Sequence, residues 1–200
     1  MNKKVVFFDL GAYQGDSIDR FIEVSESMNL DYQIFSFEPH PHNYGQCIKK
    51  YGDNDRVTIF PIAIAGNEGH LKLFEGKGTV GYSIYGSKRN VSKATYNVVP
   101  CWRFSYFYNT FKDMFKDSTL VLKANMEGAE LNLVRDLDAN DLFKEFSYYC
   151  SFRTSLTTDI KKCNKIKKYA GEVEEILSKN NINVIRERHL HAKLKEVIDE

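Results

Sequence analysis

The sequence lacks several features that would place it in a specialised class of protein. No apolar run approaches the roughly 18 residues that a membrane-spanning helix needs, and the run that begins at Val5 is ended by Asp9. The four cysteines form no CxxC pair, so reduced structural thiols are expected rather than disulfides or a zinc site. Neither sign of charge dominates, because 28 basic residues balance 27 acidic ones. We therefore expect a cytoplasmic protein with no membrane span, no metal and no general attraction to nucleic acid.

The remaining composition is that of an ordinary globular chain. Hydrophobic residues make up 42% and charged residues 28% of the 200 positions, which is enough apolar material for a core without disulfides. These values predict one domain over residues 1–200. They leave the oligomeric state open.

Short apolar runs alternate with segments of helical period, which is typical of an α/β fold with a mostly parallel sheet flanked by helices. About seven strands are predicted, at residues 5–10, 33–38, 57–65, 98–104, 119–124, 143–152 and 183–188. Helices are predicted at residues 17–28, 42–51, 106–115 and 158–179, with another after residue 128. Residues 71–74 are expected to return as the second arm of a hairpin with the third strand, and residues 76–95 to form a loop.

A glycine turn follows the first predicted strand. Gly11 and Gly15 bracket it, and a helix comes next, an arrangement that lets a ligand approach the backbone and the helix N-terminus. Glu38 ends the second strand, where an acid can accept hydrogen bonds from both hydroxyls of a ribose. Together these features predict a site for an adenosine-type cofactor.

The side chains of the turn favour one such cofactor over others. A dinucleotide fingerprint needs glycine where Tyr13 and Asp16 stand, so a pyrophosphate would meet a side chain and a negative charge. The segment from Gly76 to Thr79 also fails as a triphosphate loop, because Gly78 occupies the position of the magnesium-binding hydroxyl. S-adenosylmethionine carries no phosphate and has cationic groups, which Asp9 and Asp16 would attract. It is the predicted cofactor.

A second group of polar residues lies where the strand at 119–124 meets the next helix. Lys123 is placed on an otherwise apolar strand and must be paired or extend to the surface. Glu130 falls in the first helical turn, where it would either stabilise the helix N-terminus or contact a ligand. Because ligands bind at this edge of an open α/β sheet, the segment is a candidate catalytic site.

Four motifs in this order and spacing resemble the FkbM family of S-adenosylmethionine-dependent methyltransferases: DLGAYQGDS, FSFEPHPHNY, AIAGNEGHLKLF and LKANMEGAELNLV. The resemblance covers about residues 5–137 and implies a class I methyltransferase (Rossmann-like) fold, with a seven-stranded sheet, and O-methylation of a sugar, glycan or related small-molecule hydroxyl. The resemblance and the glycine turn together give these candidate cofactor-binding residues: Asp9, Gly11, Ala12, Tyr13, Gly15, Asp16, Glu38, Pro39 and Ala63. The catalytic candidates are Lys123, Asn125 and Glu127.

Asn125 departs from the pattern of the family, which usually has Asp at this position. An amide keeps hydrogen bonding but has neither charge nor basicity. Glu127 is therefore the first candidate for a base that would accept a proton from the acceptor hydroxyl. If the position of Asn125 requires a carboxylate, the chain is a non-catalytic binding module instead.

The glycine-rich segment from Gly76 to Lys88 is the candidate acceptor-binding lid. Tyr82, Ser83 and Tyr85 offer aromatic faces and hydroxyls that suit a sugar, and Glu130 completes the predicted acceptor-binding set. An ordinary surface loop is the alternative for this segment. An NAD-dependent oxidoreductase or epimerase is a further alternative function, which Tyr13 at a glycine position disfavours.

Overall fold

A parallel sheet of six strands forms the centre of the computed structural model, which describes residues 4–76, 82–86, 91–151, 164–185 and 189. Its strands are β1 (Val5–Leu10), β2 (Tyr32–Phe37), β3 (Val57–Phe60), β7 (Thr119–Ala124), β8 (Tyr148–Ser151) and β9 (Val184–Ile185). They lie in the order β3-β2-β1-β7-β8-β9, and every neighbouring pair is parallel. The predicted α/β class with a parallel sheet is thus confirmed. A seventh strand in this sheet is not found among the described residues.

Helices cover both faces of this sheet. They are α1 (Asp16–Ser27), α2 (Pro41–Tyr51), α3 (Phe104–Phe111), α4 (Glu130–Ala139) and α5 (Asn164–Lys179), with short 3₁₀ turns at Lys112–Phe115 and Phe143–Glu145. Alternate residues of β1 point to opposite faces, as the pleat of a strand requires. Phe7 stacks on Phe21 of α1 with ring centroids 4.3 Å apart, whereas Phe8 packs in the core shared with α3 and α4. All six residues of β1 are buried, so the strand is fixed from both sides.

A second, smaller sheet corrects the predicted hairpin. It contains β4 (Ala63–Ile64), β5 (Gly69–Gly76) and β6 (Val91–Trp102), in the order β4-β6-β5. The segment at 57–65 was predicted as one strand, but it divides at Pro61 between the two sheets. The antiparallel partner of β5 is β6 rather than β3 or β4. The predicted loop over 76–95 is also wrong from Val91 onward, because these residues belong to β6.

The remaining predicted elements differ mainly at their ends. The aromatic segment at 143–152 begins with a 3₁₀ turn, so its strand is confined to β8. The predicted helix at 158–179 and the strand at 183–188 correspond to α5 and β9 within the described residues, and their other residues lie outside them. Cys47 and Cys101 are buried free thiols. None of the described helices is both long and apolar enough to cross a membrane.

The order of the strands determines where a ligand would bind. From β1 the chain crosses in one direction to β2 and β3, and then returns to the other side of β1 with β7. At such a switch point the loops after the two adjacent strands diverge and leave a crevice at their carboxyl ends. The two groups of polar residues singled out in the sequence follow β1 and β7, so the topology brings them to this crevice.

Candidate active site

A buried ion pair lies beneath the crevice. The parallel register places Lys123 beside Asp9, and Asp9 beside Ser36, so their side chains form a row across three strands. Lys123 Nζ lies 2.7 Å from Asp9 Oδ1 and donates to the carbonyl oxygen of Gly11, also at 2.7 Å. Ser17 and Ser36 donate to the other oxygen of Asp9. The network ties the first glycine turn to β7.

This network changes the interpretation of two predicted residues. Asp9 is fully buried, and Lys123 is 2% exposed. The Asp9 charge is balanced by Lys123 inside the protein, so Asp9 is not a free charge that attracts a cationic cofactor. The Lys123 ammonium is turned toward the underside of the turn, which favours a positioning role over the predicted catalytic one. The pairing that the sequence required of Lys123 is confirmed.

Gly11 brings the two loops of the crevice into contact. Its φ of +88° is a conformation that favours glycine. A Cβ at this position would collide with the backbone carbonyl of Asn125, whose own N–H donates to the carbonyl of Leu10 at 2.9 Å. A glycine is therefore required here both by the backbone angle and by the close approach of the loop after β7.

Glu38 is one of two acids that line the cavity, the other being Glu127. The Glu38 carboxylate accepts the backbone N–H of Tyr13 at 2.8 Å and that of His40 at 2.9 Å. Burial nevertheless raises the pKa of Glu38 to about 7, since the loss of hydration outweighs these hydrogen bonds. Glu38 thus holds the turns after β1 and β2 together and titrates near neutral pH.

The N-terminus of α1 is poorly suited to a pyrophosphate. Gly15 precedes the helix in a left-handed conformation, and the first turn carries Asp16 and Asp19. The free N–H groups and the dipole of a helix N-terminus would attract an anion, but the Asp16 carboxylate opposes it, whereas Asp19 is already paired with Lys50. Tyr13, at the position of a dinucleotide glycine, adopts a φ of +56° and lines the cavity. This geometry favours a cofactor without a phosphate bridge.

The turn after β7 is held by a second buried acid. Glu130 is 2% exposed and accepts the backbone N–H groups of Met126 and Gly128, both at 2.8 Å. Burial raises the pKa of Glu130. Between these two donors, Glu127 has a φ of +53°, a left-handed conformation that is unusual for a side-chain-bearing residue. Glu130 therefore stabilises the turn that presents Glu127, rather than reaching the acceptor as predicted.

Residues 82–86 lie against that turn. The Ser83 hydroxyl donates to the backbone carbonyl of Glu127 at 2.6 Å, and the Ser83 backbone pairs with Phe74 of β5. Tyr85 stacks on Tyr169 of α5 and covers Gly128, where a Cβ would approach the Tyr85 ring to 2.8 Å. Ser83 and Tyr85 thus anchor the segment, whereas Tyr82 and Ile84 line the cavity. The rest of the predicted lid, at 77–81 and 87–88, lies outside the described residues.

One cavity receives residues from all of these loops. Of the predicted residues it is lined by Gly11, Tyr13, Glu38, Pro39, Ala63, Tyr82, Asn125 and Glu127. Eight other predicted residues, all within the described chain, do not line it: Asp9, Ala12, Gly15, Asp16, Ser83, Tyr85, Lys123 and Glu130. Most of the latter hold the turns from which the lining residues project. Their roles toward a ligand stay predictions.

Several residues that line the cavity were not predicted from the sequence. The apolar ones include Ile62, Leu73, Ile84 and Met126. The polar one is Asn43, in the first turn of α2 and five residues after Glu38. The sequence does carry a signal for it, since a polar residue in the first turn of a helix that follows the second strand faces the same edge as Glu38.

Comparison with known proteins gives one match among curated sequences and two among solved structures. No protein-family model matches the chain. The 2-O-methyltransferase NoeI of Sinorhizobium fredii is 29% identical over 73 residues, which are 36% of this chain and 28% of the relative. The chain therefore spans well under two thirds of that protein, and the activity of the whole relative does not transfer with the match.

The structural similarities are weaker. Methyltransferase FkbM from Methylobacillus flagellatus has a TM-score of 0.40 and 17% identity, over 70% of this chain and 31% of its own. Yeast methylglyoxal/isovaleraldehyde reductase Gre2, complexed with NADPH, has a TM-score of 0.43 and 8% identity, over 92% and 56% of the two chains. Neither score is high enough to choose between their functions. The motifs and the match to NoeI make the chain similar to FkbM-type methyltransferases, as its sequence predicted.

Proposed function

We propose that the chain is an S-adenosylmethionine-dependent O-methyltransferase that acts on a hydroxyl of a sugar, glycan or related small molecule. The observation that carries this proposal is the cavity at the switch point, which joins Glu38 and the glycine turn on one side to Asn125 and Glu127 on the other. A cofactor and an acceptor could meet there. NoeI, named as a 2-O-methyltransferase, supports the choice of oxygen as the acceptor atom.

The residues present suit the nucleoside part of such a cofactor. Glu38 and Asn43 offer acceptor oxygens to hydroxyl groups, and the Asn43 Oδ1 is a buried oxygen that lacks a partner among the described residues. Ala63, Ile62 and Leu73 offer apolar surface to a base. Asp16 at the start of α1 disfavours a pyrophosphate there. The set therefore fits S-adenosylmethionine better than NADPH.

When bound, S-adenosylmethionine supplies a methyl group that an aligned nucleophile can attack, with the positively charged sulfur as the leaving group. The chain would contribute alignment and a proton acceptor. Glu127 would accept the proton of the acceptor hydroxyl, and Asn125 would orient that hydroxyl through its amide. The Asn125 Oδ1 has no hydrogen-bond partner in the described part of the chain and lines the cavity, as an orienting group would.

Asn125 also supports a second candidate function, a methyltransferase-like module that binds but does not catalyse. An amide at this position cannot act as a base. The two candidate functions predict different effects of the substitution Asn125→Asp. If a carboxylate is required, this variant should gain turnover, and if orientation is sufficient, it should be neutral or harmful.

Transfer of a labelled methyl group to a panel of sugars and glycans tests the proposal. For an acceptor that is methylated, Glu127→Gln should reduce turnover by about 10² to 10⁴, because it keeps the shape and removes the proton acceptor. Binding of S-adenosylhomocysteine to this variant should remain unchanged. Full turnover by Glu127→Gln would remove Glu127 from the mechanism, and cofactor binding without transfer to any acceptor would favour the binding module.

A further inference from the structure

Residues 82–86, which we call the strap, join the two sides of the cavity. Tyr82 and Ile84 of the strap line the cavity. The Ser83 hydroxyl donates to the carbonyl oxygen of Glu127 at 2.6 Å, which attaches the strap to the turn after β7. The strap is thus a wall of the cavity that does not belong to the main sheet, and its attachments determine whether this wall can open.

On the side of Glu38, the strap is held by a stack of two rings. The His40 imidazole lies against the Tyr82 ring, with centroids 3.7 Å apart and planes inclined by 22°. The backbone N–H of His40 donates to the Glu38 carboxylate, so the imidazole projects from a fixed part of the turn after β2. His40 is buried but does not line the cavity. It would therefore act on a ligand through Tyr82.

The attachment on the other side is more extensive. In addition to the bond from Ser83, Tyr85 stacks on Tyr169 of α5 with ring centroids 5.9 Å apart and covers Gly128. Two backbone hydrogen bonds between Ser83 and Phe74 also tie the strap to β5. Release of the ring stack would thus free one end of the strap while the other end stays in place.

The cavity is small for the ligands that the proposed function requires. Its volume is about 230 Å³. Sites for drug-sized ligands typically have about 300 to 1,000 Å³. S-adenosylmethionine alone is a ligand of that size, and an acceptor needs further space. The other walls belong mostly to strands and to the turns that Glu38 and Glu130 hold, so the strap is the wall that would yield.

We propose that His40 is a positioning residue that latches the strap over the cavity through Tyr82, and that opening of this latch admits and releases the cofactor. The inference rests on the proposed function, which supplies S-adenosylmethionine as the ligand. It adds a step to binding, because a ligand enters or leaves only while the stack is broken. Weakening the stack should therefore speed association and dissociation by the same factor and leave the Kd unchanged. Loss of a direct ligand contact would instead act mainly on dissociation and raise the Kd.

Surface plasmon resonance with the immobilised full chain measures both rates for S-adenosylhomocysteine. In His40→Ala, association and dissociation should each be roughly two- to tenfold faster than in the intact chain, as expected for the loss of one aromatic stack. His40→Phe keeps a ring at this position and should restore rates close to those of the intact chain. Unchanged rates in His40→Ala would overturn the latch, and so would faster dissociation with a proportionally higher Kd.

Tyr82→Ala tests the same latch from the strap, where the substitution leaves the turn after β2 intact. It should speed dissociation at least as much as His40→Ala does. Adding His40→Ala to this variant should have no further effect, because the two residues act through one stack. Dissociation that becomes faster again in the double variant would overturn the role of His40.

His42→Ala provides the matched control. His42 is exposed in the first turn of α2, two residues after His40, so its replacement should change neither rate. The failure of the inference and that of the proposed function are distinguishable. Equal rates in the intact chain and in His40→Ala overturn the latch alone, whereas no binding of S-adenosylhomocysteine by the intact chain overturns both.

Discussion

Two buried glutamates, Glu38 and Glu130, perform the same task on opposite sides of the cavity. Each accepts two backbone N–H groups and so holds a turn at the carboxyl end of the sheet. They differ in what lies next to them. Glu38 lines the cavity, whereas Glu130 does not, and both N–H donors to Glu130 come from the turn that carries Glu127. An acid at a strand end can thus hold a turn and also bind a ligand, or hold a turn alone.

The two sides of the cavity also differ in the contacts that hold their turns in place. On the side of Glu38, the turn after β1 is tied to three strands by the network of Asp9 and Lys123. On the side of Glu130, the turn contains two consecutive residues of positive φ, Glu127 and Gly128, and is supported by Ser83. The proposed function makes the side of Glu38 the cofactor side and the side of Glu130 the acceptor side. We infer that the cofactor side is organised by the sheet itself and that the acceptor side depends on a few local contacts.

The largest expected effect comes from breaking the ion pair under the cofactor side. Lys123→Met leaves the fully buried Asp9 without its counter-charge, and the loss of one partner of such a pair costs about 3 to 5 kcal/mol. Denaturant unfolding, monitored by circular dichroism, measures this loss.

The double variant Asp9→Asn, Lys123→Met serves as the control for that experiment. It removes the uncompensated charge together with its partner, so much of the stability lost in Lys123→Met should return. A single variant as stable as the intact chain would show that the pair does not organise the turn.

Removing the support of the acceptor side should have the next largest effect. Glu130→Ala leaves the N–H groups of Met126 and Gly128 without their acceptor, at a cost of roughly 1 to 3 kcal/mol for each. Turnover should fall with the displaced Glu127, and the affinity for S-adenosylhomocysteine should change much less. Denaturant unfolding and calorimetric titration measure the two quantities.

Glu130→Gln keeps one acceptor oxygen and should lose less stability than Glu130→Ala. Glu38→Ala should show the opposite pattern to Glu130→Ala, because its affinity for S-adenosylhomocysteine should fall more than about tenfold. If Glu130→Ala weakened cofactor binding as much as Glu38→Ala did, the division of the cavity into two sides would be wrong.

A smaller effect is expected from Ser83→Ala, which removes the bond from residues 82–86 to the Glu127 carbonyl. One neutral hydrogen bond contributes about 1 kcal/mol. The KM for the acceptor should rise severalfold while the affinity for S-adenosylhomocysteine stays unchanged, as steady-state kinetics and titration would measure. Ser27→Ala removes a similar hydroxyl-to-carbonyl bond on the exposed end of α1 and should change neither value.

The smallest expected effect is the release of a fraction of a proton when the ligand binds. Burial raises the pKa of Glu38 to about 7, so the carboxyl is about half-protonated at pH 7. Hydroxyl donors favour the ionised form and lower this pKa, so binding should release up to about half a proton and tighten as the pH rises through 7. Calorimetry in buffers of different ionisation enthalpy measures the release. Glu38→Gln should abolish it, and proton uptake would contradict it.

The sequence predicted the cofactor side better than the acceptor side, for a physical reason. Strand β1, the glycine turn and Glu38 form one local pattern, and the prediction of residues 5–10 as a strand matches the structure. The pairing of β5 with β6 joins segments separated by residues of irregular composition, so local periodicity could not reveal it. Likewise, Lys123 could be recognised as paired, but its partner Asp9 is 114 residues away and is fixed only by strand register.

The role of Glu130 in its turn was hidden for a related reason. A glutamate in the first turn of a helix can face solvent, a ligand or its own backbone, and only the positive φ values at Glu127 and Gly128 bring two N–H groups within its reach.

The most direct test of the account is the choice between S-adenosylhomocysteine and NADPH, measured as the melting temperature of the intact chain with each ligand. The account predicts a clear rise with S-adenosylhomocysteine, since a ligand at about 100 times its Kd adds about 2.7 kcal/mol to the free energy of unfolding. NADPH should give no rise, because Tyr13 and Asp16 disfavour its pyrophosphate. A rise with NADPH and none with S-adenosylhomocysteine would contradict the account.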